Sequence, residues 1–253
     1  MISINPKYLL VIAVSSLVLL SGCASTTASK ADPLEGLNRA TYRFNDAVDE
    51  AVFKPVAKGY QAVTPTFFRA GVTNLFTNIG DVATALNNLL QGKAGDAASD
   101  TGRFLINSTL GVLGLFDVAT PMGLEKHNED FGQTLGVWGV NSGPFLMLPL
   151  MGPSTLRDAA GRPVDAYAGY SRYVDHIPSR NSAFGLEIID LRANLLGASS
   201  TLDAAALDKY QFVRDAYLQR RLRSVYDGRA PQAKLDQLEE DLAPPAAPKA
   251  DKK

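Results

Sequence analysis

The chain has 253 residues, of which 46% are hydrophobic and 20% charged, with a mean hydropathy of −0.03, and this excludes wholesale disorder. Its 25 Lys and Arg face 26 Asp and Glu for a formal charge of −1, so no net basic field awaits nucleic acid. One Cys and two His exclude a disulfide framework and a Cys-rich zinc site, and no metal or cofactor is expected.

The N-terminus carries Lys7, then the uninterrupted run Tyr8–Leu20, then Ser21-Gly22-Cys23. Such a run is too short for a membrane span, which needs about 20 residues. A short basic region, an apolar stretch and small residues describe a secretory signal peptide over residues 1–22. Leu20-Ser21-Gly22-Cys23, holding the only cysteine, resembles the bacterial lipobox. That resemblance implies cleavage before Cys23 and acylation of its thiol and new amine. One acyl chain anchors marginally, whereas two or more anchor stably. Ala24 and Ser25 follow, with no Asp directly after the cysteine, which in enterobacteria favours the outer membrane. Residues 23–31 read as a lipidated, flexible tether facing the periplasm.

Along the mature chain the apolar residues keep helical spacing. Asp32-Pro33-Leu34-Glu35 offers an N-cap, a first-turn proline and a capping-box spacing. Leu37, Phe44, Val48 and Val52 continue the stripe until Pro55 ends or kinks the helix. Thr64-Pro65 starts again, and Phe68, Val72, Leu75, Phe76 and Ile79 form an amphipathic stripe. Val82, Ala85, Leu86, Leu89 and Leu90 follow, stopped by Gly92 as C-cap. Leu186–Leu196 and Leu207–Tyr226 read as further helices, the second with Tyr210, Val213, Tyr217, Leu218, Leu222 and Val225 on its apolar side and arginines on its polar flank. Residues 228–253 read as a polar, largely disordered tail. The predicted fold is all-α, a compact arrangement of amphipathic helices with irregular Gly/Pro-rich loops, forming one domain over 32–227.

Phe104–Pro153 stands apart: it holds eight glycines, five charged residues and the only tryptophan, Trp138. Asn107, Ser108, Thr109, Asp117 and Pro121 argue against a spanning helix there, because hydrocarbon satisfies no polar group. A buried core helix followed by tight turns is one reading; a surface meeting lipid is the other.

Several ordered segments carry a resemblance: Asp32-Pro33-Leu34-Glu35-Gly36-Leu37-Asn38-Arg39 with Phe44-Asn45, Asn87–Gly92, Arg103–Thr109, Glu129–Gly136, Gly143-Pro144-Phe145 and Leu148–Asp158. Together they resemble the MlaA (VacJ) family of outer-membrane phospholipid-transport lipoproteins, over roughly Asp32 to Tyr226. The resemblance implies an all-helical, ring-like body in the outer membrane with an amphipathic channel. Members of the family take misplaced phospholipid from the outer leaflet, pass it to a soluble periplasmic carrier of the Mla pathway, and associate with trimeric porins. Asp208-Lys209-Tyr210 stands where Asp-Pro-Tyr is common, so the last helix is expected to start differently.

Sheltering a charged headgroup requires polar groups in an apolar frame, since the headgroup is costly in hydrocarbon. Asn45, Asn107, Ser108, Thr109 and Asp117 are therefore candidates for a channel wall, against capping or internal hydrogen bonds as the competing role. Arg39, Arg43 and Arg103 are candidates for pairing phosphate, with ion pairs as the alternative. Gly132, Gly136, Gly139 and Gly143 suit either close helix approach or a hinged loop; Trp138 and Pro144 favour the loop. With Phe44, expected to lock the first helix against its neighbours, this loop is a candidate for gating or packing. No catalytic residues are expected: Ser108 and Ser154 lie outside any Gly-x-Ser-x-Gly elbow, His127 reads as a solvated loop residue, and neither His127 nor His176 sits in a zinc motif. A structural envelope lipoprotein scaffolding a porin-containing complex is the alternative to a transporter.

Overall fold

The computed structural model describes residues 29–169 and 173–243, so the signal peptide, Cys23 and residues 244–253 lie outside it. The fold is helical. In chain order it comprises α1 (Glu35–Val48), a π-helical segment (Asp49–Phe53), α2 (Lys54–Val63), α3 (Thr66–Leu90), α4 (Ala94–Thr109) and α5 (Phe131–Val137). There follow β1 (Phe145–Leu148), β2 (Gly152–Thr155), α6 (Leu156–Ala168), α7 (Ile177–Asn194), α8 (Leu196–Ala205), α9 (Lys209–Val225) and α10 (Gln232–Leu242).

Proline and glycine punctuate the helices. Pro55 does not end the first helix. It lacks an N–H for the Ala51 carbonyl and crowds it, and the π-helical segment before it widens the turn, with the Lys54 N–H bonding Asp49. α3 then runs unbroken through Gly80 for 25 residues. Gly92 closes it in the left-handed region at φ +79°, with the Lys93 N–H reaching the Asn88 carbonyl at 2.9 Å. α3 and α4 form an extensively packed helical hairpin, α5 packs on α6, α2 on α7, and α9 touches α5, β2 and α10.

Three expectations about the ends are corrected. Asp32 does not cap α1, which starts after Leu34 without a side-chain cap, because the Asp32 carboxylate is buried and bound elsewhere. α9 starts at Lys209 with Asp208 as its cap, accepting from the Gln211 N–H at 3.1 Å, so Lys209 takes the first position that a proline would suit. Part of the tail is ordered: α10 sets Leu238 and Leu242 against the core, and the Ala31 N–H bonds the Asp241 carbonyl at 3.0 Å.

The sense of burial is inverted. β1 and β2 pair antiparallel as a β-hairpin, and a small apolar core of Phe145, Met147, Tyr210, Tyr217 and Leu218 lies between this β-hairpin and α9. Among the described residues the largest fully buried side chains are Arg103, Phe145, Asn38, Asn88, Thr134, Thr155, Asp32, Asp81, Asp100 and Ser154, of which only Phe145 is apolar. On α3, Asn78, Asp81, Thr84, Asn87 and Asn88 face inward while Phe67, Phe68, Val82, Leu86, Leu89 and Leu90 are exposed. The helix–turn reading of 104–124 is right in outline, but Leu110, Val112, Leu113, Phe116 and Met122 are exposed rather than buried. Exposed apolar surface on this scale marks a membrane or partner face. Among the described residues no helix is long and apolar enough to cross a membrane.

Candidate functional site

The interior polar groups form three clusters. The first joins α3, α4 and the following loop around Arg103, which is 1% exposed. Its Nη1 donates to Thr120 Oγ1 and the Leu124 carbonyl, both at 2.9 Å, and its Nη2 donates to Asp117 at 3.1 and 3.2 Å. Asn107 completes the loop: its Oδ1 accepts from the Val118 and Ala119 N–H groups and its Nδ2 donates to Asp117. Burial opposes ionisation of Asp117, but the bonds from Thr120, Arg103 and Asn107 outweigh it and hold the carboxyl at about 2. Asp81 differs. It is buried, with Oδ2 3.6 Å from Arg103 Nε in an ion pair but without a hydrogen-bond partner, and burial pushes its carboxyl up to about 6.

The second cluster clamps the β-hairpin. Asn38 donates to the Phe145 carbonyl at 3.0 Å and accepts from the Met147 N–H at 2.8 Å. Asn45 donates to the Leu148 carbonyl at 2.9 Å and accepts from the Leu150 N–H at 2.8 Å. Each amide thus acts as a strand backbone would. Seven helical residues rise about 10.5 Å and three strand residues about 10 Å, so two asparagines seven apart meet matching points of β1. Asn38 also bonds Asp32, which accepts from Tyr210 and lies 3.5 Å from Arg214.

The third cluster centres on Arg221. It pairs with Asp130, by Nη1 and by Nη2 at 2.9 Å, and with Asp158, by Nε at 3.0 Å and Nη2 at 2.8 Å. Tyr217 and Arg157 also donate to Asp158. Burial raises the Asp158 carboxyl, yet Arg221, Arg157 and Tyr217 together bring it down to about 2. The glycines sit against this cluster. Gly132 and Gly136 lie in α5 rather than in a loop, and a Cβ on them would stand 2.7 Å from Asp158 Oδ1 and from Arg157 Nη1 respectively. Gly139 and Gly143 lie in the loop at φ +90° and +67°, where side chains are strained. The four glycines are therefore split between close approach and loop freedom.

Other expected site residues fall as follows. Ser108 accepts from Asn78 at 2.9 Å, and Thr109 bonds back to the Leu105 carbonyl at 2.7 Å. Phe44 does not lock α1 onto its neighbours: it is 52% exposed, as is Leu37, because the apolar stripe faces outward. Arg39 is engaged by Glu35 and Asp208 and stacks over Tyr210 at 4.5 Å. His127 is half-buried rather than solvated, with Nδ1 3.1 Å from Asp100. Trp138 is exposed, its Nε1 donating to the Leu90 carbonyl at 3.0 Å. Among the described residues no group of His, Cys, Asp and Glu could hold a metal ion.

Sequence reasoning missed the inward arginines of α9. Arg214 and Arg221 were expected on a polar flank; both are buried beside Tyr210 and Tyr217. The signal was present: 210, 214, 217 and 221 are spaced four, three and four apart, one helix face.

The family model for the MlaA lipoprotein matches residues 30–224. The Escherichia coli (strain K12) intermembrane phospholipid transport system lipoprotein MlaA is 36% identical over 209 residues, covering 80% of this chain and 82% of that protein. Its Haemophilus influenzae namesake is 31% identical over 240 residues, covering 91% and 95%. A solved structure described as "Structural basis for maintenance of bacterial outer membrane lipid asymmetry" superposes with a TM-score of 0.68 at 34% identity, covering 77% of this chain and 98% of that one.

Proposed function

Because the chain belongs to the MlaA lipoprotein family, we propose that it removes misplaced phospholipid from the outer leaflet of the outer membrane and hands it to a soluble periplasmic carrier of the Mla pathway. The observation that carries this reading is the inverted burial: apolar side chains outside, Asn, Asp, Arg and Thr inside. A body of that kind is solvated by acyl chains on its outer wall. Its interior offers hydrogen bonds to a headgroup that hydrocarbon cannot accommodate. The amphipathic passage lies within a ring-like body, and acylated Cys23 tethers that body to the membrane and orients it toward the periplasm. A trimeric porin is the expected neighbour in the bilayer.

Within this reading Asn45, Asn107 and Asp117 act by holding the wall. Asn45 fixes the β-hairpin turn, and Asn107 with Asp117 fixes the loop after α4, so that the shape of the passage survives lipid movement. The Gly139–Gly143 loop controls passage, while Phe44 belongs to the outer wall.

The experiment is the phospholipid content of the outer leaflet in a strain lacking the chain and in a complemented one. Accumulation that complementation reverses is the expected result. An unchanged leaflet, together with loss of a porin-containing complex, would replace transport by the scaffolding role.

A further inference from the structure

A cavity of about 360 Å³ lies between the Gly139–Ser142 loop, the start of α6, α9 and α10. α10 lies beyond residue 224, where the match to the family model ends, so one border of this chamber is a segment outside that match. Its lining includes Leu222 and Leu238, together with Arg157, Arg221 and Lys234 against a single carboxylate, Asp241.

The cations differ in how far they are already used. Arg221 spends its nitrogens on Asp130 and Asp158. Arg157, only 8% exposed, spends Nε and Nη2 on Asp158 at 3.0 Å, while Nη1 has only a long contact, 3.4 Å to the Val140 carbonyl. Lys234, in the first turn of α10, forms no ion pair among the described residues. A buried guanidinium nitrogen with donors to spare and an unpaired ammonium thus face one chamber that Leu222 and Leu238 also line. Phosphate oxygens accept charge-assisted bonds from both groups, and the leucines suit the first carbons of an acyl chain.

We propose that this chamber binds the phosphate of a phospholipid headgroup, with Arg157 Nη1 and Lys234 as its cationic contacts and Leu222 and Leu238 beside the glycerol and chain. The site rests on the phospholipid-transport reading and gives it a holding station that α10 borders. Arg157 is fixed by the fold, whereas Lys234 arrives with the helix. Occupancy therefore favours the docked position of α10.

The test is amine acetylation of Lys234, read by mass spectrometry on the full-length chain in detergent, with three probes. These are dihexanoyl phosphatidylcholine, whose headgroup has no reactive amine, inorganic phosphate and dihexanoyl glycerol. The short-chain phospholipid is expected to slow Lys234 acetylation several-fold while leaving exposed Lys58 unchanged. Dihexanoyl glycerol should have no effect. Lys234 is exposed, so Lys234→Gln keeps the fold; it should weaken phospholipid binding about tenfold, the loss of one charge-assisted contact. Equal protection by dihexanoyl glycerol, unchanged acetylation with every probe, or undiminished binding by Lys234→Gln would overturn the proposal. Protection by inorganic phosphate as effective as by the phospholipid would reduce the chamber to a free-anion site and also overturn it. If the deletion strain accumulates outer-leaflet phospholipid but Lys234 is unprotected, the site fails and the transport reading stands. Protection with an unchanged outer leaflet leaves the site standing and removes the transport reading.

Discussion

Arg221 reaches Asp158 through two nitrogens, Nη2 at 2.8 Å and Nε at 3.0 Å, and so ties α9 to the helix that follows the β-hairpin. The same guanidinium holds Asp130, the N-cap of α5. One side chain therefore sets the mutual positions of α5, α6 and α9, the elements around the glycine segment. Removing it leaves the buried Asp158 carboxylate, and the partly exposed Asp130 carboxylate, with diminished compensation.

Arg221→Ala is expected to cost about 3–5 kcal/mol, the range for breaking one partner of a buried pair. Urea unfolding followed by Trp138 fluorescence checks it. The Asp158 carboxyl is held at about 2, below its ordinary value of about 4. Its contribution is thus complete above about pH 4 and is lost as pH falls toward 2, so Arg221→Ala should flatten the acid limb of the unfolding curve.

Asp81→Asn is expected to stabilise the protein at pH 7. The carboxyl is raised to about 6 by burial, and its Oδ2 has no hydrogen-bond partner. The folded state binds the proton more tightly than the unfolded state, so the wild-type loses stability as pH rises from about 4 to 6. A gain of about 1–3 kcal/mol at pH 7 that vanishes near pH 4 is predicted, since one pKa unit is about 1.4 kcal/mol. Parallel stability curves at pH 4 and pH 7 decide it; Arg103 keeps Asp117 in the variant.

The glycines are expected to separate into two phenotypes. Gly132→Val places atoms against Asp158 and should abolish the protein. At Gly139 a Cβ meets nothing within 4 Å, and the cost is conformational, about 1–2 kcal/mol for a side chain at positive φ. Gly139→Val should therefore leave protein level and porin association normal while outer-leaflet phospholipid accumulates. Intact asymmetry in that variant would make Gly139 a turn residue without a gating role.

Trp138 is 54% exposed beside exposed Val137 and Val140. Its fluorescence should be quenched by brominated lipids, most strongly with bromine near the headgroup, because indoles settle at the interface. A water-like emission unaffected by bromination would move this segment out of the bilayer.

Cys23 lies outside the described residues, and its modification is read from the mature protein by mass spectrometry. Acyl chains on residue 23 with loss of residues 1–22 are expected; retention of the leader would remove the anchor.

The sequence by itself determined where α1 to α3, the second half of α7 and α9 run, but not α6, α8 or α10. Pro65, Gly92 and the apolar spacing of α3 act over a few residues, and local sterics and backbone bonding are written in local sequence. It also marked Asn38, Asn45, Arg103 and Asp158 as parts of ordered motifs, and Asp117 as a polar group in an apolar stretch. It left the direction each amphipathic helix faces undecided, because a stripe of Val82, Leu86, Leu89 and Leu90 has the same period whether it meets a core or acyl chains. Only the tertiary structure turned that stripe outward, and with it Phe44 and the loop after α4. The pairings of Asn45 with Leu148, Arg103 with Asp117 and Arg221 with Asp158 likewise belong to the fold. They join residues 103, 14 and 63 positions apart. Each needs a buried polar partner at hydrogen-bond distance, and only the packed chain supplies one.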